Sequence, residues 1–226
     1  MNELRPLSFE VSSGRNVSGL LMHPQGAQAC LVLAHGAGAG MNHASLATVA
    51  SGLAERGIAT LRYQFPFMEG GSKRPDGPAL AHATVRAAVK EAERLVPKLA
   101  LIAGGRSFGG RMTSQAQALD PLPNVHGLAF LAFPLHAAGR PATNRATHLK
   151  DVGLPMLFLQ GTNDALAEIS LLSSVVADLG GRGTLHTLHA ADHAFHVPSR
   201  SGRTDAEVRS EMLDVLAGWI TRTTRA

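Results

Sequence analysis

Apolar and polar residues alternate near the start of the chain, at positions 7–11 and again at 17–22. The turn-forming residues Ser13-Gly14-Arg15-Asn16 separate the two segments. Alternation with a period of two on either side of a turn is typical of paired antiparallel strands. The chain is therefore expected to begin with a β-hairpin.

After residue 22 the pattern changes to short, continuous apolar runs, at 31–34, 58–61, 99–103, 128–132 and 156–159. Such runs suit parallel strands that are buried on both faces. Segments with a helical period lie between them, at 45–55, 79–96, 110–119 and 165–179. Strands that alternate with helices predict an α/β fold, in which helices cover both faces of a mostly parallel sheet.

One further strand is expected near 184–188, followed by a loop and a final helix. The apolar face of that helix carries Leu213, Leu216, Trp219 and Ile220. Thr204 and Glu207 have the spacing of a capping box at its start. The sheet then has about eight strands, and because no linker marks a boundary, we expect one domain over residues 1–226.

A five-residue motif, Gly105-Arg106-Ser107-Phe108-Gly109, follows the predicted strand at 99–103 and opens a predicted helix. It matches the G-x-S-x-G nucleophile elbow, in which a sharp turn between strand and helix exposes the serine. The alternative is a serine that caps the helix after a glycine-rich turn. The strand-turn-helix setting favours Ser107 as a nucleophile.

A serine hydroxyl needs a base to accept its proton. We expect that base in the loop after the last strand, where His193 lies. His186 and His189 are predicted in or at the end of that strand, and His196 lies further along the loop. His193 is therefore the predicted base, with a histidine there by chance as the alternative.

The base in turn needs a carboxylate to orient it, and Asp164 fits best because it ends a buried strand that runs into a glycine-containing turn. An aspartate that caps the following helix is the alternative. Asp192 is disfavoured because adjacent side chains in an extended chain point apart. The order Ser107, Asp164, His193 is that of the α/β-hydrolase fold.

The glycine-rich segment from His35 to Gly40 follows the strand at 31–34 and could supply backbone donors for an oxyanion. We expect one donor from Ala37 or Gly38 and the other from Phe108, next to the nucleophile. A dinucleotide fingerprint starting at Gly36 would need glycine at position 41, which is Met41.

Several residues are candidates for binding substrate, because they follow strands predicted to end beside Ser107. They are Gly36, Gly38, Lys73, Arg74, Arg106 and His136. A solvated loop is the alternative for Lys73 and Arg74, and local packing is the alternative for Arg106 and His136. Only about twenty residues separate the strands at 128–132 and 156–159, so no large lid domain is expected.

Composition narrows the class of protein further. The formal charge is +4, but basic residues are scattered and aromatic residues make up only 4%, so no nucleic-acid partner is expected. No apolar run is long enough to cross a membrane, and no secretory leader is recognisable. The lone Cys30, predicted in a buried strand, fits a reducing cytoplasm. The chain lacks the histidine and carboxylate spacing of metal sites, so neither a metal nor another cofactor is expected.

Five motifs together carry a resemblance to a known family. They are Ala34-His35-Gly36-Ala37-Gly38, Arg62-Tyr63-Gln64-Phe65-Pro66, Gly104 to Arg111, Phe133-Pro134-Leu135-His136 and Gln160-Gly161-Thr162-Asn163-Asp164. The chain resembles α/β-hydrolase-like proteins related to dienelactone hydrolases and to the testis-expressed and NSL-complex subunit 3 proteins. Dienelactone hydrolases proper have a cysteine nucleophile where this chain has Ser107.

The resemblance implies the α/β-hydrolase fold and a triad of Ser107, Asp164 and His193, in agreement with the residue argument. The expected activity is hydrolysis of a small carboxyl ester or thioester through an acyl-enzyme. The alternative is a noncatalytic binding or scaffolding protein of the same fold, since some relatives resemble scaffolds. The sequence leaves the oligomeric state open.

Overall fold

A computed structural model describes residues 3–225 and shows an eight-stranded sheet flanked by helices. The strands are β1 (Glu3–Ser12), β2 (Arg15–His23), β3 (Ala29–Ala34), β4 (Ile58–Tyr63), β5 (Ala100–Arg106), β6 (Val125–Leu131), β7 (Met156–Gly161) and β8 (Gly183–Leu188). The α-helices are α1 (Ala44–Ala54), α2 (Pro66–Glu69), α3 (Pro78–Leu95), α4 (Phe108–Leu119), α5 (Ile169–Asp178) and α6 (Asp205–Arg225). Short 3₁₀ helices occupy Asn144–Asp151, Gly180–Arg182 and Ser199–Ser201.

The strand order is β1-β2-β4-β3-β5-β6-β7-β8, and all neighbours from β4 to β8 pair in parallel. Strand β2 alone runs against the others, because it pairs antiparallel with both β1 and β4. The predicted hairpin is confirmed, with Phe9 opposite Val17 in its register. The mostly parallel sheet with helices is the predicted α/β-hydrolase architecture.

The continuous apolar runs reflect burial on both sheet faces. In β3, Leu31 and Leu33 pack on the side covered by α1 and α6, whereas Cys30 and Val32 pack on the side covered by α3, α4 and α5. Every residue of β3 is buried. Full burial of one such aliphatic side chain stabilises the fold by about 1.5–3 kcal/mol, so these runs anchor the central strands from both sides.

The last helix starts as its sequence predicts. The Thr204 amide donates to the Glu207 carboxylate over 2.7 Å, and the Glu207 amide donates to the Thr204 hydroxyl over 3.2 Å. This reciprocal pair satisfies two amides at the start of α6 that have no partner within the helix. The buried face of α6 includes Leu216 and Ile220, which pack against the sheet.

The carboxyl ends of β3, β5, β7 and β8 lie at one edge of the sheet, and the loops that follow them meet there. The connection from β6 to β7, residues 132–155, contains one 3₁₀ helix and no inserted domain among the described residues. This sheet edge therefore has no large lid. Within residues 3–225, no helix combines the length and the apolar character that a membrane span requires.

Candidate active site

Ser107 is the single residue between β5 and α4, and its backbone is strained. Its φ is 50° and its ψ is −117°, a region that residues with a side chain rarely occupy. A hydrogen bond of 3.0 Å from the Ser107 amide to the Leu131 carbonyl holds this turn against β6. Strain of this kind persists only when surrounding contacts enforce it, and here it places the serine at the carboxyl edge of the sheet.

The glycines around Ser107 allow α4 to pack directly on the sheet. A Cβ atom added at Gly105 would lie 2.6 Å from the Ala34 carbonyl oxygen, and one added at Gly109 would overlap the His35 carbonyl. Real Cβ atoms do not approach backbone atoms this closely. The two glycines of the motif therefore let β5 and α4 lie close to β3 and the loop after it.

His193 lies in the loop after β8, with its Nε2 atom 2.9 Å from Ser107 Oγ. Its side chain is 28% exposed. The loop is fixed by Asp192, whose Oδ1 accepts hydrogen bonds from the amides of Ala194 (2.7 Å) and His196 (2.9 Å). Asp192 therefore shapes the loop rather than contacting the His193 ring.

Asp164 lies in the turn after β7 and accepts a hydrogen bond of 2.7 Å at Oδ2 from His193 Nδ1. Its carboxylate is fully buried, and Oδ1 accepts from the Leu166 amide over 2.8 Å. Helix α5 begins at Ile169 with Glu168 at its N-cap position. The prediction that this helix starts at position 165 was wrong, because Asp164 and the residues after it form the turn instead, so Asp164 does not cap α5.

Gln160 is the second-last residue of β7 and contacts the same carboxylate. The sequence pattern did not identify it as a site residue. Its side chain is fully buried, and its Nε2 donates to Asp164 Oδ2 over 2.5 Å. Its Oε1 is buried without a hydrogen-bond partner. A glutamine in an otherwise apolar strand is the signal that could have identified it.

The loop after β3 is positioned by His35, which is completely buried. His35 Nε2 accepts from the Phe65 amide over 2.9 Å, and Nδ1 donates to the Gly36 carbonyl over 2.7 Å. Burial lowers the pKa of His35, which favours the neutral ring that this pairing requires. Because the described peptide bonds are all trans, the Ala37 N–H points away from the Gly36 carbonyl.

The backbone amides of Ala37 and Phe108, near Ser107, make no hydrogen bond within residues 3–225. Phe108 is the first residue of α4, so its amide has no acceptor within the helix, and the helix dipole favours negative charge there. Gly36 also approaches the nucleophile, since a Cβ added there would lie 3.7 Å from Ser107 Cβ. Both predicted oxyanion donors therefore lie beside Ser107.

A cleft of about 420 Å³ opens over these groups. Its lining includes Ser107, His193, Gly38 and Arg106. Arg106 donates from Nη2 to the His193 carbonyl over 3.1 Å. Burial lowers the pKa of Arg106 below its ordinary value. Arg106 is thus the one predicted cationic candidate that lines this cleft.

The structure does not bring three of the predicted substrate-binding residues to the cleft. The His136 ring is buried and already bonded at both nitrogens, to the Ala137 carbonyl and the Glu168 amide. It therefore supports the loop between Asp164 and α5. Lys73 and Arg74 are exposed in the loop between α2 and α3 and do not line the cleft.

The histidines near the C-terminal end of the sheet have separate partners. His186 contacts Glu211 over 2.7 Å, and His196 contacts Asp205 over 2.9 Å. His189 is exposed. Among residues 3–225, no cluster of three histidine, cysteine or acidic side chains has the arrangement of a metal site.

Comparison with solved structures gives the same architecture. A dienelactone hydrolase from Anabaena variabilis is 18% identical over 98% of both chains, with a TM-score of 0.74. The esterase domain of a Rhodothermus marinus protein is 18% identical over 97% of this chain and 98% of that chain, also with a TM-score of 0.74. A lidless serine hydrolase from Xanthomonas campestris is 21% identical over 96% of this chain and 95% of that chain, with a TM-score of 0.72.

Similarities at these identities establish the fold. Membership of a family rests on a separate match, between residues 27–221 and the family described as alpha/beta hydrolase domain. That match covers β3 to β8 and every loop that contributes to the cleft. The chain belongs to the alpha/beta hydrolase domain family.

Proposed function

We propose that this protein is a serine hydrolase that cleaves small carboxyl esters or thioesters through an acyl-enzyme. The observation that carries the proposal is the continuous hydrogen-bonded chain from Ser107 Oγ through the His193 ring to Asp164. Distances of 2.9 and 2.7 Å lie within the range for proton transfer and for orienting a base.

In the first half of the reaction, Ser107 Oγ attacks the carbonyl carbon while His193 Nε2 takes its proton. Asp164 accepts the Nδ1–H, which keeps Nε2 free to act as a base and stabilises the imidazolium that forms. The amides of Ala37 and Phe108 hold the oxyanion. The bond to the leaving oxygen or sulfur then breaks, and His193 donates its proton to the departing alcohol or thiol.

In the second half, water replaces the leaving group. His193 takes a proton from the water as its oxygen attacks the acyl carbon, and the same two amides hold the second oxyanion. The bond to Ser107 then breaks, Oγ regains the proton from His193, and the carboxylic acid leaves. The cycle uses only side chains, backbone amides and water.

The cleft supports the substrate class. It has no inserted domain above it among the described residues, and its volume of about 420 Å³ falls in the range of small-molecule sites. The names of two similar structures, an esterase domain and a lidless serine hydrolase, support ester cleavage. The scaffolding alternative, and with it the relation to NSL-complex subunit 3 proteins, has no comparable support from the site.

The test is labelling with a fluorophosphonate, which reacts with an activated serine, together with turnover of short-chain p-nitrophenyl esters. Wild type is expected to be labelled and to turn over ester, and Ser107→Ala is expected to do neither. Ser174→Ala, an exposed serine on α5, is the matched control and should behave as wild type. Absence of Ser107-dependent labelling and turnover, with the fold intact, would refute the proposal.

A further inference from the structure

A second cavity, of about 130 Å³, adjoins the cleft between α1, α6 and the loop that carries His193. The two cavities share Ser45, Leu46 and Arg106 in their linings. The side pocket therefore lies directly beside the cleft. The size of the side pocket is close to that of a cavity of about 150 Å³ that accepts a benzene ring.

The inner wall of the side pocket is apolar. Val49, Leu131 and Met212 line it and are buried, and Phe195 also lines it. Apolar walls of this kind suit a short hydrocarbon stem or a ring. Any polar group of a ligand in this pocket would have to be bound by the charged residues of its lining.

Arg106 brings a positive charge to the side pocket, with its guanidinium carbon 5.9 Å from the centre of the Phe195 ring. Among the described residues its guanidinium makes one hydrogen bond, to the His193 carbonyl, and no ion pair within 4.0 Å. None of its other nitrogen atoms is both buried and without a hydrogen-bond partner. They are therefore open to the cavity or to solvent, and its fork of N–H donors matches a carboxylate.

A second arginine, Arg209, lines the same pocket from α6; its charge helps to lower the pKa of Asp205, although no carboxylate lies within 4.0 Å of it in the described part of the chain. The one carboxylate of the lining, Asp205, is already engaged by His196 over 2.9 Å and by the Val197 amide over 2.9 Å. The pairing with Asp205 raises the pKa of His196. The lining of the side pocket therefore has two arginines and one carboxylate, which is already engaged, beside an apolar wall. The carboxylates of Asp192 and Asp164 also act on Arg106 electrostatically, but they bond the Ala194 amide and His193, respectively.

We propose that the side pocket binds a carboxylate carried by the ester substrate, held by Arg106 and Arg209, with the connecting carbons against the apolar wall. The inference rests on the proposed function. It narrows the substrate class to esters that carry an anionic group a few bonds from the scissile bond. The two halves of an ester are separate sources of that carboxylate, and the test treats them separately.

The experiment compares kcat/KM for anionic and neutral esters of matched shape. For the acyl half, mono-4-nitrophenyl glutarate is compared with 4-nitrophenyl valerate, and for the leaving group, 4-acetoxybenzoate is compared with 4-acetoxybenzamide. In at least one pair the anionic ester is expected to be preferred by about fivefold or more, because one charge-assisted contact contributes on the order of 1 kcal/mol. Added salt should reduce that preference.

Arg209→Gln should abolish the preference for the anionic ester. Arg222→Gln is the control, because it removes the same charge from an exposed position about 20 Å further along α6. An anionic-to-neutral ratio that is near one in both pairs, or that Arg209→Gln leaves unchanged, overturns the inference.

A binding measurement separates this inference from the proposed function. In the Ser107→Ala background, glutarate is titrated calorimetrically against protein that keeps Arg209 and against protein that also carries Arg209→Gln, with 1,5-pentanediol as the neutral probe. Ester turnover without an anionic preference overturns the subsite and leaves the hydrolase proposal standing. Glutarate binding that requires Arg209, without Ser107-dependent turnover, supports the subsite as an anion site and overturns the hydrolase proposal.

Discussion

Replacement of Gln160 tests whether the buried amide behind Asp164 supports the base. Gln160→Leu keeps a side chain of similar size but removes the hydrogen bond of 2.5 Å to Asp164 Oδ2. That oxygen is also the one that accepts from His193 Nδ1 over 2.7 Å. The carboxylate then keeps the Leu166 amide on Oδ1 but loses the contact that fixes the orientation of Oδ2.

The magnitude follows from the charge on the acceptor. A hydrogen bond to a charged group contributes about 1.5–3 kcal/mol, and about 1.36 kcal/mol corresponds to a tenfold change in rate. If the whole contribution serves to orient His193 in the transition state, kcat falls by about 10- to 150-fold. KM should change little, because Gln160 is buried behind the carboxylate and does not line the cleft.

The fold should tolerate the change. Leucine also removes the Gln160 Oε1 atom, which is buried without a partner, and an unpaired buried polar atom costs about 1–3 kcal/mol. The lost bond and the removed penalty therefore offset within about 2 kcal/mol. Urea denaturation should show a folded variant whose free energy of unfolding is close to that of wild type.

The assay is steady-state hydrolysis of a p-nitrophenyl ester together with the rate of fluorophosphonate labelling. Gln115→Leu is the matched control, since Gln115 on α4 is hydrogen-bonded to His82 on α3 rather than to a residue of the site. Gln160→Glu, which sets a second carboxyl group against Asp164, should lose more activity than Gln160→Leu. A folded Gln160→Leu variant with kcat within about twofold of wild type would refute the reasoning, since even the weakest such bond predicts a larger change.

Two further predictions concern stability. Gly105→Ala places a Cβ 2.6 Å from the Ala34 carbonyl oxygen and should lower the free energy of unfolding by about 2 kcal/mol or more. The control in urea denaturation is Gly181→Ala, whose added Cβ meets no atom within 4 Å. Equal stability of the two variants would contradict the packing argument. Burial lowers the pKa of His148 from 6.5 to about 4, so the unfolded chain binds a proton there that the folded chain does not as the pH falls through this range. The contribution of the neutral His148 ring to the free energy of unfolding is fully present above pH 6.5 and is lost towards pH 4, by at most about 3 kcal/mol. His148→Gln should therefore make the free energy of unfolding less sensitive to pH between 7.5 and 4.5, whereas His126→Gln, at an exposed position, should not. Identical pH dependence in both variants would exclude the effect.

The sequence predicts the sheet well because burial on both faces leaves a distinctive apolar pattern. It predicts the boundaries near the site less well, since local contacts decide them. Strand β5 continues to Arg106, beyond the apolar run that ends at Ala103, because its pairing with β6 extends to Leu131. Helix α5 starts four residues later than predicted because the Leu166 amide bonds to Asp164 instead of entering the helix.

Some site residues could likewise be predicted from the sequence, and others could not. Ser107, His193 and Asp164 lie at strand ends, so topology alone places them together. His136 also follows a strand, yet its ring turns inward to bond the Glu168 amide, and nothing in the sequence pattern distinguishes these two outcomes. Lys73 and Arg74 belong to a loop whose path depends on individual side-chain contacts, such as the bond from the Phe67 amide to Asp76, and these leave no periodic pattern in the sequence.

The hydrogen-bonded chain at the cleft joins residues that are far apart in the polypeptide, with 86 positions between Ser107 and His193 and 29 between Asp164 and His193. Contacts between residues this far apart form late in folding, because the entropy cost of closing a large loop comes before the favourable contact is made. The elbow at Ser107 can form once β5 has paired with β3 and β6, whereas the base arrives only after β8 has joined the sheet edge. The appearance of fluorophosphonate reactivity during refolding would therefore time the final step of assembly, and comparison with the earlier recovery of secondary structure would measure how long the chain persists with a complete nucleophile and no base.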